Sequence, residues 1–324
     1  MAFKAQLTGK IMFGIVVGVI LFLFPKIASQ HFSLVMLGFF ASAIAVLGFN
    51  LLFGYTGLLS IGHSLFFAVG AYTVAFSMRS SIFSMELILL ITLLVSGLIA
   101  ALVGAICVRY TDIHFSILTF AFAMLLYSFI VKFYYVTGGD DGLRVLMPHL
   151  LGFNHSAVPK MQFLMETYYY YALIVACLAT WAMWRIVTSY FGLSLKAIRD
   201  NPVKAEYLGI NISRYRWFAF IISGMYTALG GALLVPVIGH VDPTLSHWFQ
   251  SGQFILMTVL GGFTYFLGPI LGSLVFTYLQ DTLMSVFQYW RFFFGALLAF
   301  VVIVAPGGIM GGIDSLQKKK KGGV

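Results

Sequence analysis

The 324 residues are 61% hydrophobic and only 9% charged, with a mean hydropathy of +0.98. Soluble domains are about 45–50% apolar, so the composition argues against an ordinary water-soluble fold and for a membrane as solvent. The net charge of +9 reads as orientation rather than as a nucleic-acid footprint, because cytoplasmic loops collect Lys and Arg.

The chain opens with Lys4, Lys10 and an apolar run over 11–24, which imitates a signal peptide. The following PKIASQ is a poor small-x-small cleavage site, so the run reads as an uncleaved span over 11–25. A second span is expected at 31–53. After it comes the glycine-rich stretch GLLSIGHS, where Gly54, Gly57 and Gly62 permit tight backbone paths. Asn50, Tyr55, Ser60, His63 and Tyr72 are the polar groups nearest that bend. Together with Gly57 and Gly62 they read either as a solute path or gate, or as helix packing around small residues, which membrane helices commonly use.

Spans follow at 64–79, 86–108, 114–133 and 167–188. Cys107 and Cys177 sit in apolar runs and read as packing residues. Between 134 and 166 lies the largest external segment. Its TGGDDGL (137–143) is a turn, and Asp140 with Asp141 is a weak signal for calcium. The stretch 192–216 then carries seven charges in twenty-five residues: Lys196, Arg199, Asp200, Lys204, Glu206, Arg214 and Arg216. Within it, Asn201-Pro202 predicts a helix N-cap with Pro at the first helical position, and Gly209 predicts the left-handed residue that ends the helix. LSLKAIRD predicts another short helix ending at the same break. Apolar knobs with a charged rim suit docking into a partner's groove or, alternatively, pairing with anionic lipid.

The last spans are expected at 217–239, 252–266, 267–283 and 291–306. The pair within 252–283 is broken by Gly261, Gly262, Gly268 and Pro269. The whole is an all-α polytopic transmembrane helical bundle of about ten spans, one domain over 1–316 with a basic tail over 317–324.

Charge parity orients it. With the N-terminus inside, thirteen basic residues fall inside (Lys4, Lys10, Arg109, Arg185, Lys196, Arg199, Lys204, Arg214, Arg216 and Lys318 to Lys321) and six outside. This bias fits both termini in the cytoplasm. Span centres hold almost no ionisable residue of the kind that binds a coupling ion. The sequence lacks a phosphate-binding loop, a metalloprotease HExxH and a GxSxG elbow. No catalytic and no metal-ligating residue is therefore assigned. If transport is active, its energy must come from another chain. A stand-alone carrier or passive channel, and less readily a membrane enzyme, are the other classes.

The segment GLSLKAIRDNPVKAEYLGINISRYRWFAFIISGMYTALGGALL resembles the cytoplasmic-loop signature of ABC permeases for branched-chain amino acids, the LivH/LivM group, and the LivM-type subunit more closely. GYTGLLSIGHSLFFAVGAY (54–72), IHFSILTFAFAMLLYSF (113–129), VLGGFTYFLGPILGSLV (259–275) and VAPGGIMGG (304–312) resemble further motifs of that family in the same order. The resemblance implies an importer subunit in the bacterial cytoplasmic membrane. It implies two ABC ATPase subunits that carry the ATP and magnesium, a homologous second permease subunit and an external solute-binding protein; no cofactor belongs to this chain. Urea or short amides are an alternative solute class on that scaffold. By position, Leu193, Lys196, Ala197, Ile198, Arg199, Asn201, Ala205, Glu206, Leu208 and Gly209 match the ATPase-coupling pattern. Pro202 and Lys204 depart from it, and Met124 stands where many relatives are expected to carry a polar residue.

Overall fold

The computed structural model describes residues 21–79, 84–150, 158–289 and 307–312, together with positions 18, 152, 292–293, 295–296, 299 and 314. Most of the expected span 11–25, the span 291–306 and the tail 317–324 lie outside the described residues; 21–27 are helical.

Ten helices carry the architecture: α1 (Gln30–Thr56), α2 (Ser64–Arg79), α3 (Met85–Cys107), α4 (Asp112–Lys132), α5 (Tyr169–Thr188), α6 (Tyr190–Asp200), α7 (Pro202–Tyr207), α8 (Ile212–Ile238), α9 (Trp248–Gly261) and α10 (Gly268–Val286). Five helical segments are long and apolar enough to cross a membrane: α1, α3, α4, Lys160–Thr188 and α8. α2 and α9 have 16 and 14 residues. They rise only about 24 and 21 Å at 1.5 Å per residue, short of a ~30 Å hydrocarbon core.

Two expectations shift. The helix expected from 167 begins at Lys160, passing through a π turn over Leu164–Tyr168 into α5. Lys160, Gln162 and Glu166 depress the hydropathy there, yet Gln162 bonds to Glu166 one turn on (3.0 Å) and the helix is unbroken. The segment between these helices is thus shorter than the expected 134–166. It is also not wholly helix and coil: Leu143–Arg144 pairs antiparallel with His240–Val241, with Leu143 opposite Val241. Asp140 and Asp141 lie in a 3₁₀ turn, as the turn reading expects. No group of three His, Cys, Asp or Glu able to hold a metal occurs among the described residues.

α1 and α8 form the centre. Small residues of α8 face α1 and α2 (Ser223, Thr227, Ala228, Gly231), and all are buried. A Cβ on Gly231 would collide with the Phe67 carbonyl, so the two backbones touch only because the side chain is absent. Lipid tails are as apolar as leucine, so such packing and interhelical hydrogen bonds hold membrane helices together. Trp217 donates to the Ala101 carbonyl (2.9 Å), Tyr226 to Ala179 (3.0 Å) and Tyr168 to Leu233 (2.7 Å). The outer face of α3 is the opposite case. Leu90, Leu94, Leu98, Leu102 and Ile106 recur every four residues and are exposed, a stripe that suits lipid.

Two segments interrupt the bundle. Residues 57–63 leave α1 at Gly57 (φ +77°) and run without helix to Ser64. Residues 239–247 leave α8 at Gly239 and lead to α9. Non-helical backbone at such depth is tolerated where protein covers it. α4 supplies part of that cover: Ser116 donates to the Leu59 carbonyl (2.6 Å), and Gly62 lies against the Thr119 carbonyl.

Candidate functional site

The glycine-rich bend and the charged segment, far apart in sequence, meet at one end of α1. α6 ends at Asp200, and Asn201 caps α7 by accepting from the Lys204 N–H (3.0 Å), with Pro202 next in line. Gly209 has φ +84°, as its place after the helix predicted. Leu195, Ile198 and Ala205 are buried and hold the two short helices against the bundle. Leu193, Val203, Tyr207 and Leu208 point outward, Tyr207 at 88% and Leu208 at 79% exposure. Lys196, Lys204, Glu206 and Gly209 are exposed too, while Ala197 and Asn201 are half-buried.

Arg199 does not belong with the outward group. Its Nη1 donates to the Gly54 carbonyl (2.6 Å), and its Nε and Nη2 reach Asp200 (3.1 and 3.0 Å). A Cβ on Gly57 would lie 3.1 Å from Arg199 Cγ. Beside it, Lys196 Nζ stands 5.2 Å over the ring of the buried Tyr55, within cation–π range. The last turn of α1 is therefore gripped by two cations of α6.

The remaining glycine-rich residues rise toward the middle of the bundle. His63 is wholly buried, and its Nε2 bonds to Ser223 Oγ (2.6 Å). Ser223 in turn donates to the Gly48 carbonyl (2.6 Å), so Ser223 accepts and Nε2 carries the proton. Phe49, Phe66 and Phe220 stand edge-on around the imidazole at 5.3, 5.6 and 6.0 Å. Gly48 lies eight residues from the end of α1, so His63 sits about 12 Å inside that end. The neighbouring Ser64 receives α9 at the same depth: its N–H donates to Ser251 Oγ (2.8 Å) and its hydroxyl to the Ser246 carbonyl (2.9 Å). The first residues of α2 and of α9 thus meet inside the bundle.

Asn50 is buried on α1 near Gly54, and its Oδ1 has no partner among the described residues. Ser60 is buried and accepts from the Gly62 N–H (3.3 Å). Tyr72 stands apart, lining an apolar cavity of about 220 Å³ with Phe76, Leu126 and Phe129. The structure gathers Tyr55 and Gly57 with the charged segment, His63 with Ser223, and the adjacent Ser64 with Ser246 and Ser251. Ser223, Ser246 and Ser251 were not singled out from sequence. A serine inside an apolar helix is a weak signal, and only a partner across the bundle gives it meaning.

A bundle of this kind, with two helices starting in its interior and a paired helical segment at one end, is that of a multi-pass helical membrane protein. Residues 31–302 match the family described as branched-chain amino acid transport system / permease component, and the chain belongs to that family. That family is one of transport-system permease components. It is 24% identical to the high-affinity branched-chain amino acid transport system permease protein LivM of Salmonella typhimurium, across 82% of this chain and 66% of the relative. It is 25% identical to the corresponding LivH of the same organism, across 87% of this chain and 94% of the relative. It is 27% identical to the galactose/methyl galactoside import permease protein MglC of Haemophilus influenzae, across 69% and 66%. The chain spans 66% of the length of the LivM relatives it matches. No solved structure matches it.

Proposed function

We propose that the chain is the membrane-spanning permease subunit of an ATP-driven importer for branched-chain or related amino acids. In this reading an external binding protein delivers the solute, and a second permease subunit completes the pathway. Residues 190–209 dock on an ATPase subunit at the cytoplasmic face, and both termini lie on that side. The observation that carries the reading is the division of labour in α6 and α7. Buried Leu195, Ile198 and Ala205 anchor them, while Leu193, Val203, Tyr207 and Leu208 present apolar surface outward beside Glu206 and Lys204. Exposed apolar knobs on a short helix with a charged rim fit a groove on a protein partner. Arg199 connects that surface to the end of α1, so a push on α7 reaches the central helix.

Because MglC, a galactoside permease by name, is among the similar proteins, a sugar is the second solute class on the same scaffold. The test is uptake in cells carrying the chain with its candidate ATPases, second permease and binding protein. Radiolabelled leucine should accumulate, and Glu206→Ala with Leu208→Ala should abolish accumulation and solute-stimulated ATP hydrolysis without lowering the amount of chain in the membrane. Accumulation that persists when the ATPase subunits are deleted would falsify the reading. Leucine equilibrating through the purified chain alone in liposomes would make it a passive channel.

A further inference from the structure

At the end of α1 remote from Arg199, a cavity of about 610 Å³ opens between α1, the end of α8, α9 and α10. This lies within the ~300–1,000 Å³ of small-molecule sites. Its polar lining comes from three helices: Ser42 on α1, Gln250 and Gln253 on α9, and Thr277, Gln280 and Asp281 on α10. Leu34, Val35, Leu234 and Met257 supply its apolar wall. At its rim His31 Nε2 meets Asp281 Oδ2 at 2.8 Å.

Apart from the His31–Asp281 pair, several polar groups here lack protein partners. Thr92, Thr227 and Thr258 each return their hydroxyl to the carbonyl one turn back, but Thr277 Oγ1 is buried with no partner among the described residues. The side-chain amides of Gln250, Gln253 and Gln280 likewise make no hydrogen bond among the described residues. A buried hydroxyl without a partner is costly, so Thr277, facing the same cavity as three half-buried amides, marks a place where a polar ligand can bind. Gln250 and Gln253 also line a second cavity, of about 580 Å³, with Tyr127, His247 and Trp248. The first two turns of α9 therefore stand between two openings.

We infer that the cavity between α1, α9 and α10 is a solute-binding site for a small zwitterionic aliphatic amino acid. Resting on the importer reading, it makes this chain a contributor to solute selection and not solely a conduit. Asp281, the one carboxylate in the lining, meets His31 through Oδ2 and offers Oδ1 as the partner for an ammonium group. The amide N–H groups of Gln250, Gln253 and Gln280 and the Thr277 hydroxyl are donors for a carboxylate. The wall of Leu34, Val35, Leu234 and Met257 takes the aliphatic side chain. A polyol would find the same amides but no use for the carboxylate or the apolar wall.

The test uses the full chain assembled with its partner subunits in membrane vesicles, in a Cys177→Ser background, with Gln253→Cys as reporter. A membrane-impermeant thiol reagent should modify it, and L-leucine at ten times its Kd should slow modification about tenfold. D-galactose should not, and adding Asp281→Asn should remove the leucine protection. If Gln253→Cys does not assemble, Gln280→Cys is the second reporter. Modification unaffected by either solute overturns the site. Protection by galactose and not leucine overturns the ligand class. Both results leave ATP-driven uptake standing, whereas ATPase-independent uptake overturns the importer reading without touching leucine protection here.

Discussion

At the Gly54 end of α1 the charged groups are engaged, Arg199 with the Gly54 carbonyl and Asp200 and Lys196 with the Tyr55 ring, while Asn50 Oδ1 has no partner among the described residues. Toward the His31 end, Thr277 and the glutamines of α9 and α10 face a cavity without protein partners. Between them His63, Ser223 and Gly48 are bonded in series and enclosed by phenylalanines. Bonds in series fix geometry, though His63 Nδ1 is left without a partner among the described residues, and polar groups lining an open cavity are available to a ligand. The same helix thus carries a rigid connection at one end and a receptive surface at the other.

The largest effect should come from disrupting the centre that both ends share. Gly231→Val inserts a branched side chain against the Phe67 carbonyl. Overpacking costs about 1–3 kcal/mol, or more where backbone blocks relief. Loss of a monodisperse peak after detergent extraction is the expected outcome, and a wild-type elution profile would mean α2 and α8 can separate without harm.

Next come the outward residues of α7. Tyr207→Ala with Leu208→Ala should leave thermal stability within about 0.5 kcal/mol, because these are exposed positions. Co-purification with the ATPase should fall at least tenfold, about 1.4 kcal/mol of docking energy. Thermal unfolding and pull-down on one preparation separate the two effects.

Arg199→Ala is expected to cost about 1 kcal/mol of stability, below the ~1.5–3 kcal/mol of a buried charged hydrogen bond because the guanidinium is partly exposed. Its signature is different in kind: ATPase docking persists while solute-stimulated hydrolysis drops. Equal loss of both would place Arg199 on the docking surface instead.

The smallest change is Ser223→Ala. It removes the donor to Gly48 and the acceptor of His63, and membrane interhelical hydrogen bonds average about 0.6 kcal/mol. A small drop in thermal midpoint with unchanged uptake fits a structural pin. A large loss of uptake at unchanged stability would move His63 into the solute path.

Much of this was legible in the residues. The broken pair 252–283 appears as α9 and α10, divided at Gly262 (φ +102°) and restarted at Gly268-Pro269. Asn201, Pro202 and Gly209 take the cap positions their side chains favour. Local signals of this kind act through neighbouring backbone, so spacing alone exposes them. Arg199 was harder. In sequence it matches the coupling pattern together with Glu206 and Leu208, and nothing local says that its guanidinium turns inward to a carbonyl 145 residues away.

By itself the sequence determined the membrane solvent, the positions of the hydrophobic helices and the short capped pair α6–α7, because hydropathy, periodicity and capping are properties of contiguous residues. Only the tertiary structure decided which polar groups are satisfied. Gln253 and Thr277 within their helices, and His63 in the bend before α2, are each unremarkable locally. Whether each finds a partner or an empty cavity depends on helices that the chain brings beside it from elsewhere.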